Sequence, residues 1–190
     1  MKPGSPLKNQ LRNSLKVRRQ ALDEAQRAQK DREIRQKLMA LPEIQLARSI
    51  FCFVSNSTEV DTHALITQLM DQSKQLSVPK IVGEGPMQAV VFNDWKDLET
   101  SQLGILSPRN THPLATDIDI TLTPGLGFSP KGARLGYGRG YYDRWFSEHG
   151  GGLKIGLAYE MQIVEEVPTD ENDIQVDLIV TEERVISTAS

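Results

Sequence analysis

An apolar run of strand length, a long glycine-rich loop and a helical pattern follow one another between positions 118 and 146. Residues 123–146 contain six of the chain's 14 glycines, together with Arg134 and Arg139. Tyr142, Trp145 and Phe146 then share one face of the following helical pattern. A strand followed by a loop and a helix is the repeating unit of α/β proteins, so this stretch strongly limits the possible folds.

The same alternation of strands and helices continues through the rest of the chain. Residues 49–55 form a continuous apolar run, which is typical of a strand buried on both faces of a parallel sheet. A helical pattern follows from Asp61, the expected N-cap. Further strands are predicted at residues 75–82, 87–92, 118–122, 153–158 and 176–180. We therefore predict a single α/β domain over residues 1–190, with a largely parallel central sheet flanked by helices.

A basic helix is predicted at the N-terminus. Ser5 and Pro6 suit an N-cap and the first helical position, and leucines then recur at helical spacing. Beside them runs a stripe of four cations: Lys8, Arg12, Lys16 and Arg19. Residues 1–40 carry 11 of the 22 Lys and Arg residues but only 4 of the 25 acidic ones. This charge pattern fits either a solvated surface or an anion-binding helix.

Other sequence features exclude several protein classes. No apolar run approaches about 18 residues, so no transmembrane helix is predicted, and residues 1–8 lack the apolar core of a secretory signal. Cys52 is the only cysteine, which rules out an internal disulfide and fits a reducing cytoplasm, where we expect the protein. The three histidines lie far apart and show no metal-ligand spacing.

The glycine-rich loop is best interpreted as a phosphate-binding site. Glycines allow backbone N–H groups to approach an anion, and the helix that follows adds favourable partial charge at its N-terminus. Arg134 and Arg139 add forked donors suited to phosphate or carboxylate. The loop is not a Walker P-loop, and its G-x-G-x-G spacing at residues 136–140 is a poor dinucleotide fingerprint.

Two segments of this region resemble the signature of the 5-formyltetrahydrofolate cyclo-ligase family, also called 5,10-methenyltetrahydrofolate synthetases. They are Pro-Gly-Leu-Gly-Phe at 124–128 and Gly-Ala-Arg-Leu-Gly-Tyr-Gly-Arg-Gly-Tyr-Tyr-Asp at 132–143. Shorter matches occur at residues 8–12, 59–62 and 172–177, so the resemblance covers nearly the whole chain.

The resemblance implies a reaction and a set of partners. The family closes 5-formyltetrahydrofolate to 5,10-methenyltetrahydrofolate, while ATP goes to ADP and phosphate, through a phosphorylated formyl group. It implies Mg²⁺ as cofactor, ATP and a folate as small-molecule partners, and neither nucleic acid nor membrane. A monomer is expected.

The resemblance also implies roles for individual residues. Arg134 and Arg139 would be catalytic. The ATP-binding residues would be Lys8, Arg12, Arg134, Gly136, Gly138, Arg139, Gly140 and Tyr141. Val54, Glu59 and Tyr142 would line the folate pocket, and Asp143 and Asp177 would hold Mg²⁺.

An RNA-binding module is the alternative. A basic helix and a loop rich in Arg, Gly and Tyr can grip phosphates and stack on bases. Against this stand the acidic remainder of the chain and the lack of any familiar RNA-binding motif.

Overall fold

The computed structural model of the chain describes residues 5–56, 58–82, 85–101, 104–109 and 113–188. The α-helices are α1 (Pro6–Gln20), α2 (Glu24–Met39), α3 (Pro42–Leu46), α4 (His63–Asp71) and α5 (Tyr141–His149). The first six strands are β1 (Ser49–Cys52), β2 (Gln75–Ile81), β3 (Met87–Phe92), β4 (Leu98–Thr100), β5 (Leu106–Pro108) and β6 (Ile120–Thr123). The remaining strands are β7 (Gly127–Phe128), β8 (Arg134–Leu135), β9 (Leu153–Leu157), β10 (Leu178–Val180) and β11 (Val185–Ser187). Two 3₁₀ turns cover Trp95–Asp97 and Glu160–Gln162.

Seven strands form one sheet in the order β11-β10-β9-β6-β1-β2-β3. The four inner pairings, β10–β9, β9–β6, β6–β1 and β1–β2, are parallel. The outer pairings, β10–β11 and β2–β3, are antiparallel. An α/β fold with a largely parallel sheet is thus confirmed.

The continuous apolar run at β1 reflects burial on both faces of the sheet. Ile50 and Cys52 pack in the cluster that includes α2 and α4, whereas Phe51 packs against Trp145 and Phe146 of α5. Successive side chains of a strand point to opposite faces, so helices lie on both sides of β1.

The predicted helix starts are mostly correct. α1 begins at Pro6 with Ser5 as its N-cap, although the Ser5 side chain makes no capping hydrogen bond. α4 begins at His63 rather than at the residue after Asp61, and its N-cap is Thr62. Asp61 nevertheless accepts hydrogen bonds from the backbone N–H groups of His63 and Ala64, so its carboxylate still serves this helix end.

The sequence predicted neither the pairs β4–β5 and β7–β8 nor the edge strand β11. Between β3 and β6, where the sequence predicts no strand, the antiparallel pair β4–β5 forms. Within the glycine-rich loop, β7 pairs with β8. These strands are two or three residues long, too short for a period-two pattern to show in the sequence.

No helix in the described part of the chain is long and apolar enough to cross a membrane.

Candidate active site

Three loops meet at the carboxyl edge of the parallel strands, the edge at which ligands bind in sheets of this kind. They follow β1, β6 and β9. The Tyr159 hydroxyl, just after β9, lies 3.3 Å from the carbonyl oxygen of Glu59, in the loop after β1. The Gln162 side chain donates to the carbonyl oxygen of Gly125, in the loop after β6, over 2.9 Å. Polar contacts therefore connect all three loops.

The glycine-rich loop is folded back against α1. Arg12 donates from Nε to the carbonyl oxygen of Gly136 over 2.9 Å. Gly138 has a φ of +101°, and a Cβ at this position would lie 3.4 Å from the Arg12 guanidinium carbon. Gly140, also left-handed, is the N-cap of α5. Glycine at these positions lets the backbone turn tightly beside the arginine.

Arg134 lies beneath this loop with unused hydrogen-bonding capacity. Its Nη2 donates to Asp143 Oδ1 over 2.7 Å, and its guanidinium carbon lies 5.6 Å from the centre of the Tyr142 ring. Neither Arg134 Nε nor the Tyr142 hydroxyl has a hydrogen-bond partner among the described residues, although both atoms are buried. Buried donors without partners are costly, so this pair indicates a place where a ligand supplies acceptors.

Lys8 lies between two carboxylates. Its side chain is buried, with the whole residue 6% exposed, and Nζ lies 2.6 Å from Asp170 Oδ2 and 2.5 Å from Asp173 Oδ2. Burial alone lowers the pKa of Lys8, but the hydrogen bonds and charges of these two carboxylates outweigh it and raise that pKa. Lys8 is therefore an ammonium group held between two carboxylates.

The two predicted metal ligands are held by different elements. Asp143, in the first turn of α5, accepts from the backbone N–H of Ile174 over 3.2 Å, which places it beside Asp173. Asp177 precedes β10 and accepts from the backbone N–H of Lys154 over 2.7 Å, with Lys154 Nζ at 3.2 Å. Lys154 is the second residue of β9, at the amino end of the sheet. The predicted pairing of Asp143 with Asp177 is thus not what the structure brings together.

The carboxylates near Lys8 do not form a complete metal cage. In the part of the chain that the structure describes, no group of three or more His, Cys, Asp or Glu side chains can hold a metal ion by itself.

On the folate side, Glu59 has both carboxylate oxygens engaged. Oε1 accepts from the hydroxyl of Tyr137, and Oε2 accepts from the backbone N–H of Asn56 over 2.8 Å. Val54 is buried in the main core, and burial raises the pKa of Tyr142 well above its ordinary value. Of the three predicted folate residues, Val54 is therefore a buried apolar side chain and Tyr142 is a neutral phenol. Glu59 is a carboxylate held by Tyr137 and a backbone N–H group.

The sequence predicted Arg19 only as a member of the basic stripe and not as a site residue. Arg19 is 5% exposed, and it donates to Thr58 Oγ1 from Nε and to the Tyr137 hydroxyl from Nη2, both over 3.0 Å. α1 therefore contacts the loop that carries Glu59 as well as the glycine-rich loop. Periodicity marked the stripe but carried no signal for these partners.

Asp170 and Asp173 were also missed. Asp173 lies within the segment 172–177 that carries part of the family resemblance, in which the resemblance assigned Asp177 to Mg²⁺. For Asp170 the sequence offers no such signal.

The remaining predicted ATP residues lie at the outer side of the loop. Arg139 is exposed, and Tyr141 is half-buried with the Arg144 guanidinium 5.2 Å from its ring centre. Their roles stay predictions.

A groove of about 870 Å³ lies along α1 on the side of the Lys8 contacts. Its apolar lining consists of Leu7, Leu11, Ala133, Val167 and Pro168. Gln10, Ser14, Ser129, Thr169 and Gln175 contribute polar atoms, and Lys131, Glu165 and Glu166 contribute charges. A mixed lining of this kind suits a flat heteroaromatic group with hydrogen-bonding edges.

The sequence and the fold of this chain are similar to those of known proteins. The model of the 5-formyltetrahydrofolate cyclo-ligase family matches residues 5–182. The 5-formyltetrahydrofolate cyclo-ligase of Escherichia coli (strain K12) is 30% identical over 179 residues, covering 90% of this chain and 98% of the relative. The solution structure of 5,10-methenyltetrahydrofolate synthetase from Aquifex aeolicus superposes with a TM-score of 0.86 at 31% identity, covering 97% of this chain and 94% of that one. A 5,10-methenyltetrahydrofolate synthetase from Mycoplasma pneumoniae has a TM-score of 0.72 at 28% identity, with coverage of 92% and 98%.

Proposed function

The chain belongs to the 5-formyltetrahydrofolate cyclo-ligase family, and from this premise we propose that it closes 5-formyltetrahydrofolate to 5,10-methenyltetrahydrofolate in an ATP- and Mg²⁺-dependent reaction. The observation that carries the proposal is the position of Arg12 and Arg134 at the glycine-rich loop: Arg12 bonds to the Gly136 carbonyl oxygen, a Cβ at Gly136 would lie 3.1 Å from Arg134 Nη1, and Arg134 Nε is buried without a hydrogen-bond partner among the described residues.

The chemistry requires activation of a formamide, whose oxygen is a poor leaving group. Transfer of the γ-phosphoryl group to the formyl oxygen gives an iminium phosphate on N5 and releases ADP. N10 then attacks the formyl carbon, its proton is lost, and the C–O bond breaks to release phosphate. Such a transfer depends mainly on alignment of the reactants and on stabilisation of charge on the phosphoryl oxygens.

The cations described above supply that stabilisation. Arg12 and Arg134 approach the loop from opposite sides, Arg12 through Gly136 and Arg134 from beneath. Lys8 would turn from Asp170 and Asp173 to the phosphates when nucleotide binds. The groove beside α1 would then receive the nucleobase, because its lining residues Leu7 and Thr169 precede Lys8 and Asp170 in the chain and its apolar walls are joined by amide side chains.

For the metal, we propose Asp143 together with Asp173. Mg²⁺ is commonly held by one or two carboxylates, with water and substrate phosphates completing its coordination, so two neighbouring aspartates fit. The ion would neutralise part of the charge on the phosphate oxygens. Asp177 is held by Lys154 instead and is left out of this assignment.

For the folate, we propose that Glu59 pairs with donor N–H groups of the pterin ring. Its carboxylate is at the carboxyl edge, and Tyr137 keeps it oriented there. Tyr142 and Val54 would form the adjacent wall.

The RNA-binding alternative is disfavoured by the direction of the cations. Lys8 and Arg19 are buried against protein partners, and Arg12 bonds to the loop backbone. The stripe therefore does not form one open basic surface. A monomeric state and a cytoplasmic location stay predictions.

The direct test follows the absorbance of methenyltetrahydrofolate formed from 5-formyltetrahydrofolate, with and without Mg-ATP. We expect product only when nucleotide and divalent ion are both present. Equal turnover without nucleotide would refute the proposal.

A further inference from the structure

A buried pair of polar side chains lies under the loop that carries Glu59. Tyr159 is 0% exposed and Asp31 of α2 is 8% exposed. The Tyr159 hydroxyl lies 2.8 Å from Asp31 Oδ1. Neither residue touches the cations or the glycine-rich loop through these contacts, and the reaction scheme gives them no chemical step.

The pair holds the Glu59 loop on both sides of Val60. The Tyr159 hydroxyl also lies 3.3 Å from the carbonyl oxygen of Glu59. Asp31 Oδ1 accepts from the backbone N–H of Asp61 over 3.2 Å. The single proton of the Tyr159 hydroxyl is donated to Asp31 Oδ1 at the shorter distance, so the backbone of residues 59–61 is held by the Asp31–Asp61 hydrogen bond, by the longer contact of that hydroxyl with the Glu59 carbonyl oxygen and by buried Val60.

Tyr159 is in turn fixed by its own surroundings. Its backbone N–H donates to Gln162 Oε1 over 2.9 Å, and Gln162 Nε2 donates to the carbonyl oxygens of Gly125 and Leu126. The hydroxyl is therefore held relative to the start of the glycine-rich loop. A shift of the Glu59 loop would leave buried polar groups without partners, which is costly in a low-dielectric interior.

We infer that Asp31 and Tyr159 are positioning residues that set the place of the Glu59 carboxylate for folate recognition. The inference rests on the proposed function, because it takes Glu59 as a folate-binding residue. The pair acts on the substrate only through the backbone of residues 59–61. Its loss should therefore weaken folate binding and leave ATP binding nearly unchanged.

The central variant is Tyr159→Phe, which removes the hydroxyl and keeps the buried ring. We expect the KM for 5-formyltetrahydrofolate to rise about 3- to 10-fold, the effect of one lost hydrogen bond, with the KM for ATP within about twofold of the unaltered protein. Asp31→Asn keeps an acceptor oxygen in the same place and should restore folate binding that Asp31→Ala loses.

The matched control is Thr121→Val. Thr121 lies in β6, away from the carboxyl edge, and its fully buried hydroxyl donates to the carbonyl oxygen of Gly151. The substitution removes that hydroxyl. It should lower the melting temperature without changing either KM. If Tyr159→Phe behaves like Thr121→Val, the pair is merely structural and the inference is overturned.

Glu59→Gln separates this failure from a failure of the proposed function. If Glu59→Gln weakens folate binding in calorimetry and Tyr159→Phe does not, the positioning role alone is overturned. If Glu59→Gln leaves folate binding intact, the premise falls and the inference falls with it. Support requires that both variants weaken folate binding and that the double variant is less than additive.

Discussion

Arg12→Ala separates the contribution of α1 to ATP binding from its contribution to the fold. Arg12 donates from Nε to the Gly136 carbonyl oxygen and from Nη1 to Asn9 Oδ1 over 2.7 Å, and its guanidinium group lies against Gly138 of the glycine-rich loop. A hydrogen bond to a charged group contributes about 1.5–3 kcal/mol. With about 1.4 kcal/mol per factor of ten, the KM for ATP should rise about 10-fold to 150-fold.

The same substitution has a smaller, separate effect on stability. Removing the bond to Gly136 should lower the free energy of unfolding by about 1 kcal/mol. For a domain of this size, that corresponds to a fall of about 2–4 °C in Tm. The KM for 5-formyltetrahydrofolate at saturating ATP should change little, because the Arg12 side chain contacts no folate residue in the described structure.

The matched control is Arg18→Ala, since Arg18 lies on the same helix with its side chain exposed. Steady-state kinetics with varied Mg-ATP and thermal unfolding of both variants complete the comparison. If Arg12→Ala and Arg18→Ala show the same KM for ATP, the basic helix is not part of the nucleotide site. If Arg12→Ala lowers only Tm, its contact with Gly136 is structural.

Three further predictions concern carboxylates. Glu59→Gln should weaken binding of 5-formyltetrahydrofolate and leave ATP binding nearly intact in calorimetry; a loss confined to ATP would move Glu59 to the nucleotide side. Asp143→Asn should shift the Mg²⁺ titration of activity to higher concentration, whereas Asp177→Asn should not, and the reverse order would restore Asp177 as the metal ligand. Burial raises the pKa of Asp31 above its ordinary value of 3.8, so the folded state binds the proton more tightly than the unfolded state. The free energy of unfolding therefore falls as pH rises from the ordinary pKa of Asp31 through its raised pKa in the folded state. Asp31→Asn should remove that fall, so its stability relative to the unaltered protein should increase from about pH 4 to pH 7 in urea unfolding, and a constant difference would contradict the reasoning.

Local features of the fold were readable in the sequence because they depend on neighbouring residues. The N-terminal proline of α1 and the reciprocal capping bonds between Asp23 and Gln26 at the start of α2 are set by residues a few positions apart. The apolar run at β1 needs only its own composition to show burial on both faces. In a parallel sheet the segments that follow the strands lie at one edge, which is where Glu59 and the glycine-rich loop are found.

The functional contacts were not readable in the same way, because they join residues far apart along the chain. Lys8 meets Asp170 and Asp173, which lie 162 and 165 positions later. Arg19 meets Tyr137, 118 positions later. Helical periodicity specifies the face on which a cation lies, but the partner depends on how α1 packs against Ala133, Leu135 and Val167.

Asp173 and Asp177 show the same division most clearly. Both lie in one short segment, and the sequence marks each as a carboxylate beside a strand. Leu178 pairs with Ile155 as β10 begins, and this register leaves Asp177 beside Lys154 at the amino end of the sheet. The backbone N–H of Ile174 bonds to Asp143, and this contact brings Asp173 next to the site. The sequence by itself determined the fold class and the kinds of side chain available for catalysis. Tertiary structure decided which carboxylate reaches which end of the sheet, because strand register and helix docking are set by packing over the whole core.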